Sequence, residues 1–141
     1  MKKIKTKSEQ ETFKLAQEFG NKLIGGEIIC LVGELGAGKT TFTKGIAHSL
    51  NIKKHITSPT FVFMKVYNLK KNKIRKLVHI DAYRIQSEND IEAIGAPEYF
   101  AQEDTITIIE WADNIKNTLP PNAKFIELKS LDKNTREINF K

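Results

Sequence analysis

Apolar positions along the chain follow two alternating periodicities. After Ser8-Glu9-Gln10-Glu11, a capping box, residues Thr12, Leu15, Ala16, Phe19 and Leu23 recur at helical spacing, which predicts an amphipathic helix ending before Gly25-Gly26. Residues 27–32 form a short, mostly apolar run that reads as a buried strand, and residues 41–50 read as a helix that starts at Lys39. Thr57-Ser58-Pro59-Thr60 breaks the pattern. Residues 61–69 and 74–80 then alternate on either side of a polar tip, residues 70–73, as a hairpin does. Residues 87–94 read as a short capped helix ended by Gly95, residues 97–101 as a helical turn, and residues 105–109 as another buried strand. Past Pro120-Pro121, residues 124–128 and 136–140 read as closing strands around the turn Asp132-Lys133-Asn134. The sequence contains no repeat, linker or low-complexity stretch, so one domain over residues 1–141 is expected. Strands alternating with helices predict an α/β fold: a mainly parallel sheet flanked by helices, with an antiparallel hairpin inserted or added at an edge.

The segment between the first buried strand and its helix carries the chemistry. Gly33-Glu34-Leu35-Gly36-Ala37-Gly38-Lys39-Thr40 matches the phosphate-loop pattern G-x-x-x-x-G-K-[ST] at every fixed position. Glycines let the backbone curl so that successive N–H groups point at phosphate oxygens, Lys39 adds a mobile positive charge, and the Thr40 hydroxyl can complete a magnesium shell. A Gly-rich turn that only caps a helix would need the Gly-Lys-Thr triplet and the preceding strand to coincide by chance. A nucleoside triphosphate with magnesium is the expected ligand, and the fold expected around it is that of the P-loop NTPases.

Two later apolar runs end in an acid, residues 77–80 before Asp81 and residues 106–109 before Glu110. In a parallel sheet both acids would stand at the carboxyl ends of strands, beside the phosphate loop, where anhydride hydrolysis needs a carboxylate near magnesium and a group that positions water. Either acid can play either part. Thr60 lies where nucleotide switches often keep a threonine that senses the terminal phosphate, although Ser-Pro also initiates ordinary turns. Arg84 either supplies transition-state charge or holds Asp81 in a salt bridge. His79 reads first as a packed, hydrogen-bonded histidine and second as a base, and Trp111 as packing beside the site.

Charge and composition narrow the picture. The net charge of +6 invites a nucleic-acid reading, but of 23 basic side chains only Arg75, Arg84 and Arg136 are arginines, and the lysines are scattered. The densest basic run, residues 70–76, reads as a solvated hairpin tip before it reads as a contact for RNA or an acidic partner. No run approaches the ~18 apolar residues of a membrane span and the amino terminus lacks a signal-peptide core, so a cytoplasmic protein with no membrane partner is expected. Cys30, inside a predicted strand, reads as a small buried residue.

Gly-Glu-Leu-Gly-Ala-Gly-Lys-Thr-Thr-Phe from Gly33, Ser-Pro-Thr-Phe from Ser58, His-Ile-Asp-Ala-Tyr-Arg from His79 and Glu-Trp at Glu110 together closely resemble the bacterial TsaE (YjeE) family over nearly the full chain. That family is the small ATPase component of tRNA threonylcarbamoyladenosine biosynthesis. The resemblance implies ATP and Mg2+ as ligands, and the chain has no [NT]-K-x-D motif for guanine. It implies that residues 33–41, Thr41 included, cradle the phosphates, that Thr40 and Glu110 hold magnesium, that Asp81 is an essential acid near the metal and the attacking water, and that Thr60 is a switch-like threonine. It also implies that residues 6–11, Ser8 among them, lie beside the base or ribose. Lys39 and Thr60 would join Asp81 in the catalytic set. The implied partners are the TsaD transferase and TsaB, with tRNA met only indirectly or weakly and intrinsic hydrolysis weak. A small-molecule kinase and a nucleotide-dependent RNA-binding module are the competing readings; acceptor phosphorylation would mark the first, steeply salt-dependent RNA binding the second.

Overall fold

The computed structural model describes residues 2–54, 56, 57 and 63–141. The reading placed on Ser58, Pro59 and Thr60 lies outside the described residues.

Seven strands form one sheet: β1 (Lys2–Thr6), β2 (Ile28–Val32), β3 (Met64–Lys71), β4 (Ile74–Asp81), β5 (Thr105–Glu110), β6 (Lys124–Ser130) and β7 (Arg136–Phe140). Their spatial order is β1-β7-β6-β2-β5-β4-β3. The four central strands, β6, β2, β5 and β4, run parallel, whereas β3 at one edge and β7 and β1 at the other pair antiparallel. The expected parallel sheet is therefore the centre of the molecule, and the expected hairpin, β3–β4, is one edge. Helices α1 (Glu9–Gly20) and α2 (Lys39–Ser49) share one face. The short helices α3 (Glu88–Ala93) and α4 (Ala96–Phe100), with a 3₁₀ segment at Ala112–Thr118, pack over the other.

Burial on both faces explains why the central strands are continuous apolar runs. All six residues of β5 are buried, and in β2 Ile29 and Leu31 pack toward α1 and α2 while Ile28 and Cys30 pack toward the opposite face. Burial pushes the Cys30 thiol up to about 12, so it is a core residue and not a nucleophile at neutral pH.

Three features differ from expectation. β1 forms from the lysine-rich amino terminus by pairing with β7, the 3₁₀ segment follows β5 directly, and the hairpin strands run through Lys71 and resume at Ile74, which shrinks the tip to Asn72-Lys73. Asn72 takes a left-handed conformation (φ 54°) that an asparagine tolerates in so short a turn.

Helix α1 is started by Ser8, whose Oγ accepts the Glu11 N–H at 3.1 Å, and is tied to β1 by a buried hydroxyl pair, Thr6 to Thr12, at 2.6 Å. It presses on α2 at Gly45, where a methyl group would stand 2.5 Å from Ala16 Cβ and 2.6 Å from the Phe13 carbonyl. That carbonyl is helix backbone and cannot swing aside. Gly45→Val is expected to lower unfolding free energy by about 1–3 kcal/mol through overpacking. Urea denaturation reads this; an unmoved midpoint would mean that another contact sets the helix spacing.

Candidate functional site

The phosphate loop leaves β2 and enters α2 without a side-chain cap. Gly36 (φ 80°) and Gly38 (φ 101°) both adopt left-handed conformations that a side chain would strain, and Gly38 is itself the N-cap, with no side-chain hydrogen bond to the first amides of α2. Those amides and the positive end of the helix dipole therefore face the cavity with no competing side chain. Lys39, the first residue of α2, is buried and turns back over the loop: its Nζ donates to the carbonyls of Gly33 and, at 2.9 Å, Glu34, and lies 4.0 Å from the centroid of the Trp111 ring. Burial lowers the Lys39 pKa, while the carboxylates of Glu110, Asp113, Glu34 and Asp81 act in the opposite sense and favour its charge.

Asp81 and Glu110 are register partners at the ends of adjacent parallel strands, and Glu110 is paired on its other side with Leu31 of β2. Both acids are buried and both line the cavity. Their surroundings differ. An Oδ1 of Asp81 accepts the Tyr83 N–H at 2.9 Å, whereas Oε2 of Glu110 accepts from Nε2 of the fully buried His79 at 2.5 Å. His79 is thus a packed, hydrogen-bonded residue that orients Glu110.

Trp111 follows Glu110 in a left-handed conformation (φ 59°), uncommon for a bulky side chain, with its N–H on the Leu31 carbonyl at 3.1 Å. Its ring packs against Tyr83 at a centroid distance of 4.9 Å. The expectation of packing beside the site holds, and the ring also faces the Lys39 cation.

The cavity, about 690 Å³, gathers Leu35, Gly36, Gly38, Lys39, Thr40 and Thr41 of the loop with Asp81, Glu110, Tyr83 and Trp111. Gly33, Glu34 and Ala37 form the body of the loop, with the Ala37 N–H on the Glu34 carbonyl at 3.1 Å. Among the amino-terminal residues, Glu9 and Thr12 line the cavity, while Ser8 is engaged as the cap of α1. Arg84 is exposed on the turn after β4, and that turn is held by Asn114, which donates to the carbonyls of Ala82 at 3.0 Å and Tyr83 at 3.3 Å. Arg136 also lines the cavity, together with Lys133 and Asn134 of the β6–β7 turn. Sequence reading missed these three, because the segment looks like an ordinary turn until β6 is known to run parallel beside β2. The parallel pairing delivers the turn to the same sheet edge as the phosphate loop.

The donors fit magnesium. Thr40, Asp81 and Glu110 offer hard oxygens on the lining of the cavity. Among the described residues no three His, Cys, Asp or Glu side chains gather into a metal cluster, so an ion held there would complete its shell from phosphate and water, as magnesium usually does. No helix among the described residues is long and apolar enough to cross a membrane.

Comparison with known proteins gives one answer. The family model "Threonylcarbamoyl adenosine biosynthesis protein TsaE" matches residues 6–138. The chain is 38% identical over 142 residues to the tRNA threonylcarbamoyladenosine biosynthesis protein TsaE of Aquifex aeolicus, covering 99% of this chain and 96% of that one. It is also 38% identical to the protein of that name from Bacillus subtilis, covering 99% and 86%. The crystal structure of Bacillus subtilis YdiB superimposes with a TM-score of 0.80 at 34% identity, covering 99% of this chain and 83% of that one. A phosphate loop between β2 and α2, two strand-end acids beside it and full-length similarity of this degree place the chain in the TsaE family of threonylcarbamoyl adenosine biosynthesis proteins.

Proposed function

We propose that this TsaE-family chain binds ATP with magnesium and hydrolyses it slowly, as an accessory to the TsaB–TsaD complex that installs threonylcarbamoyladenosine in tRNA. The observation that carries the reading is the juxtaposition of Asp81 and Glu110, neighbours in register, with the lysine of a complete phosphate loop in one cavity. The loop amides and Lys39 bind the phosphates. Thr40 and Glu110, with Asp81 beside them, would hold magnesium, which neutralises phosphate charge when bound. Asp81 positions the attacking water. His79 fixes the Glu110 carboxylate, and the packed rings of Trp111 and Tyr83 form one wall of the cavity.

Of the basic residues that line the cavity among the described residues, Lys39 belongs to the phosphate loop, and Lys133 and Arg136 come from the β6–β7 turn. Slow intrinsic turnover and stimulation by the partners belong to this reading, with part of the transition-state charge and the order of the attacking water supplied in the assembled complex. Thr60, as a switch threonine that senses the terminal phosphate, belongs to the same proposal. Contact with tRNA is assigned to the partners, because the basic side chains here are scattered lysines.

Adding TsaB and TsaD is expected to raise steady-state phosphate release at least about tenfold, equivalent to roughly 1.4 kcal/mol of barrier. Phosphate release with and without the two proteins, alongside multiple-turnover formation of modified tRNA, measures this. Fast release by the chain alone with no response to TsaB and TsaD, or transfer of the phosphoryl group to a small-molecule acceptor, would overturn the accessory reading.

A further inference from the structure

Strand β4 ends at Asp81, and its ladder with β5 runs one residue further, where the Ala82 N–H meets the Glu110 carbonyl at 2.9 Å. Beyond Glu110 the partner strand is gone. The left-handed Trp111 (φ 59°) redirects the chain into the 3₁₀ segment, which the buried residues Ala112 and Ile115 pin to the core. Asn114 stands between these anchors at an exposed position, yet its side chain is engaged with the main chain after β4. Nδ2 donates to the carbonyls of Ala82 at 3.0 Å and Tyr83 at 3.3 Å, and the Asn114 N–H is held by the Trp111 carbonyl at 3.1 Å. Both side-chain partners are acceptors, so the amide nitrogen, with its two hydrogens, is the atom that faces them.

The Ala82 carbonyl and the Tyr83 N–H belong to one planar, trans peptide unit and point in opposite directions. Asn114 grips the carbonyl on one side, and on the other the N–H donates to Oδ1 of Asp81 at 2.9 Å. A tilt of this plane would withdraw the N–H from the carboxylate. The Ala82 carbonyl also accepts the Ile85 N–H at 3.1 Å, but that bond is internal to the turn and moves with it. Asn114 ties the turn to the segment that follows Glu110, and so ties the surroundings of one acid to the strand that bears the other.

We propose that Asn114 is a positioning residue for Asp81: by holding the Ala82–Tyr83 peptide, it sets the plane of the Asp81 carboxylate beside Glu110. Asn114 is not among the residues that line the cavity, so its influence passes through that peptide. This inference rests on the ATPase reading above, in which Asp81 positions the attacking water.

Phosphate release in the presence of TsaB and TsaD tests it. Asn114→Ala and the isosteric Asn114→Asp, which puts an acceptor where two donors were, are each expected to lower kcat about tenfold while KM for ATP stays within about twofold, because the phosphate loop and Lys39 are untouched. The decisive comparison is a cycle with Asp81→Asn. Where the charge of the acid is already gone, adding Asn114→Ala should cost less than about twofold in single-turnover phosphate release. A tenfold loss in that background as well would make Asn114 a support of the fold and not of Asp81. That result, wild-type kcat in both single variants, or a loss confined to KM overturns the positioning role although ATP hydrolysis stands. If the wild type releases no phosphate even with TsaB and TsaD, the parent reading fails and this one with it.

Discussion

Lys39→Ala is expected to reduce ATP turnover by about 10²- to 10³-fold, measured as phosphate release in the presence of TsaB and TsaD, the range found when one preorganised donor to developing charge is removed. The size of the effect follows from where the ammonium sits. Its stem is buried at the start of α2, and its head is held by the Gly33 and Glu34 carbonyls and by the Trp111 ring, within the field of Glu110, Asp113, Glu34 and Asp81. Backbone carbonyls and a ring face are weak partners that a phosphate can displace, so the cation is stored beside its target. Stability should change little. Alanine forfeits these contacts but also removes a charge whose burial is unfavourable, and α2 keeps its N-cap at Gly38. The check is a thermal melt beside the kinetics: a folded variant with full turnover would dissociate the loop lysine from catalysis and remove the basis of the ATPase reading.

How much of this was legible in the sequence depends on whether a feature is written locally. The strands β2 and β5 are buried on both faces, and such strands have no choice but to be continuous apolar runs, so residues 27–32 and 105–109 were readable to within one residue. The phosphate loop is readable because each of its fixed residues meets a local demand: left-handed backbone at Gly36 and Gly38, a cation, a hydroxyl. β1 is the opposite case. Lys2, Lys3 and Lys5 carry no strand pattern, and only pairing with β7, itself placed by β6, makes an edge strand of them. The place of the β6–β7 turn on the cavity wall was hidden for the same reason, since nothing in Asp132-Lys133-Asn134 says which strand β6 lies beside. Strand-end acids were visible as residues, but the partnership of His79 with Glu110 was not, because it depends on β4 and β5 being neighbours in parallel register.

That partnership separates the two acids experimentally. Asp81→Asn keeps the shape of the side chain and an oxygen for the Tyr83 N–H, and removes the charge that would orient water beside magnesium. Turnover is expected to fall by about 10³-fold with ATP affinity, partner binding and stability retained. Glu110→Ala should behave differently on two axes. It strips the partner from His79 Nε2 in a fully buried ring whose Nδ1 already has no hydrogen-bond partner among the described residues, a loss of roughly 1–3 kcal/mol of stability. It also removes an oxygen from the proposed magnesium set, so the magnesium concentration at half-maximal ATPase rate should rise, whereas in Asp81→Asn the rate falls more than that midpoint moves. Magnesium titrations of both variants, paired with chemical denaturation, distinguish the roles. A Glu110→Ala protein with an unshifted midpoint would return the metal to Asp81 and leave Glu110 as the residue that holds His79 in the core.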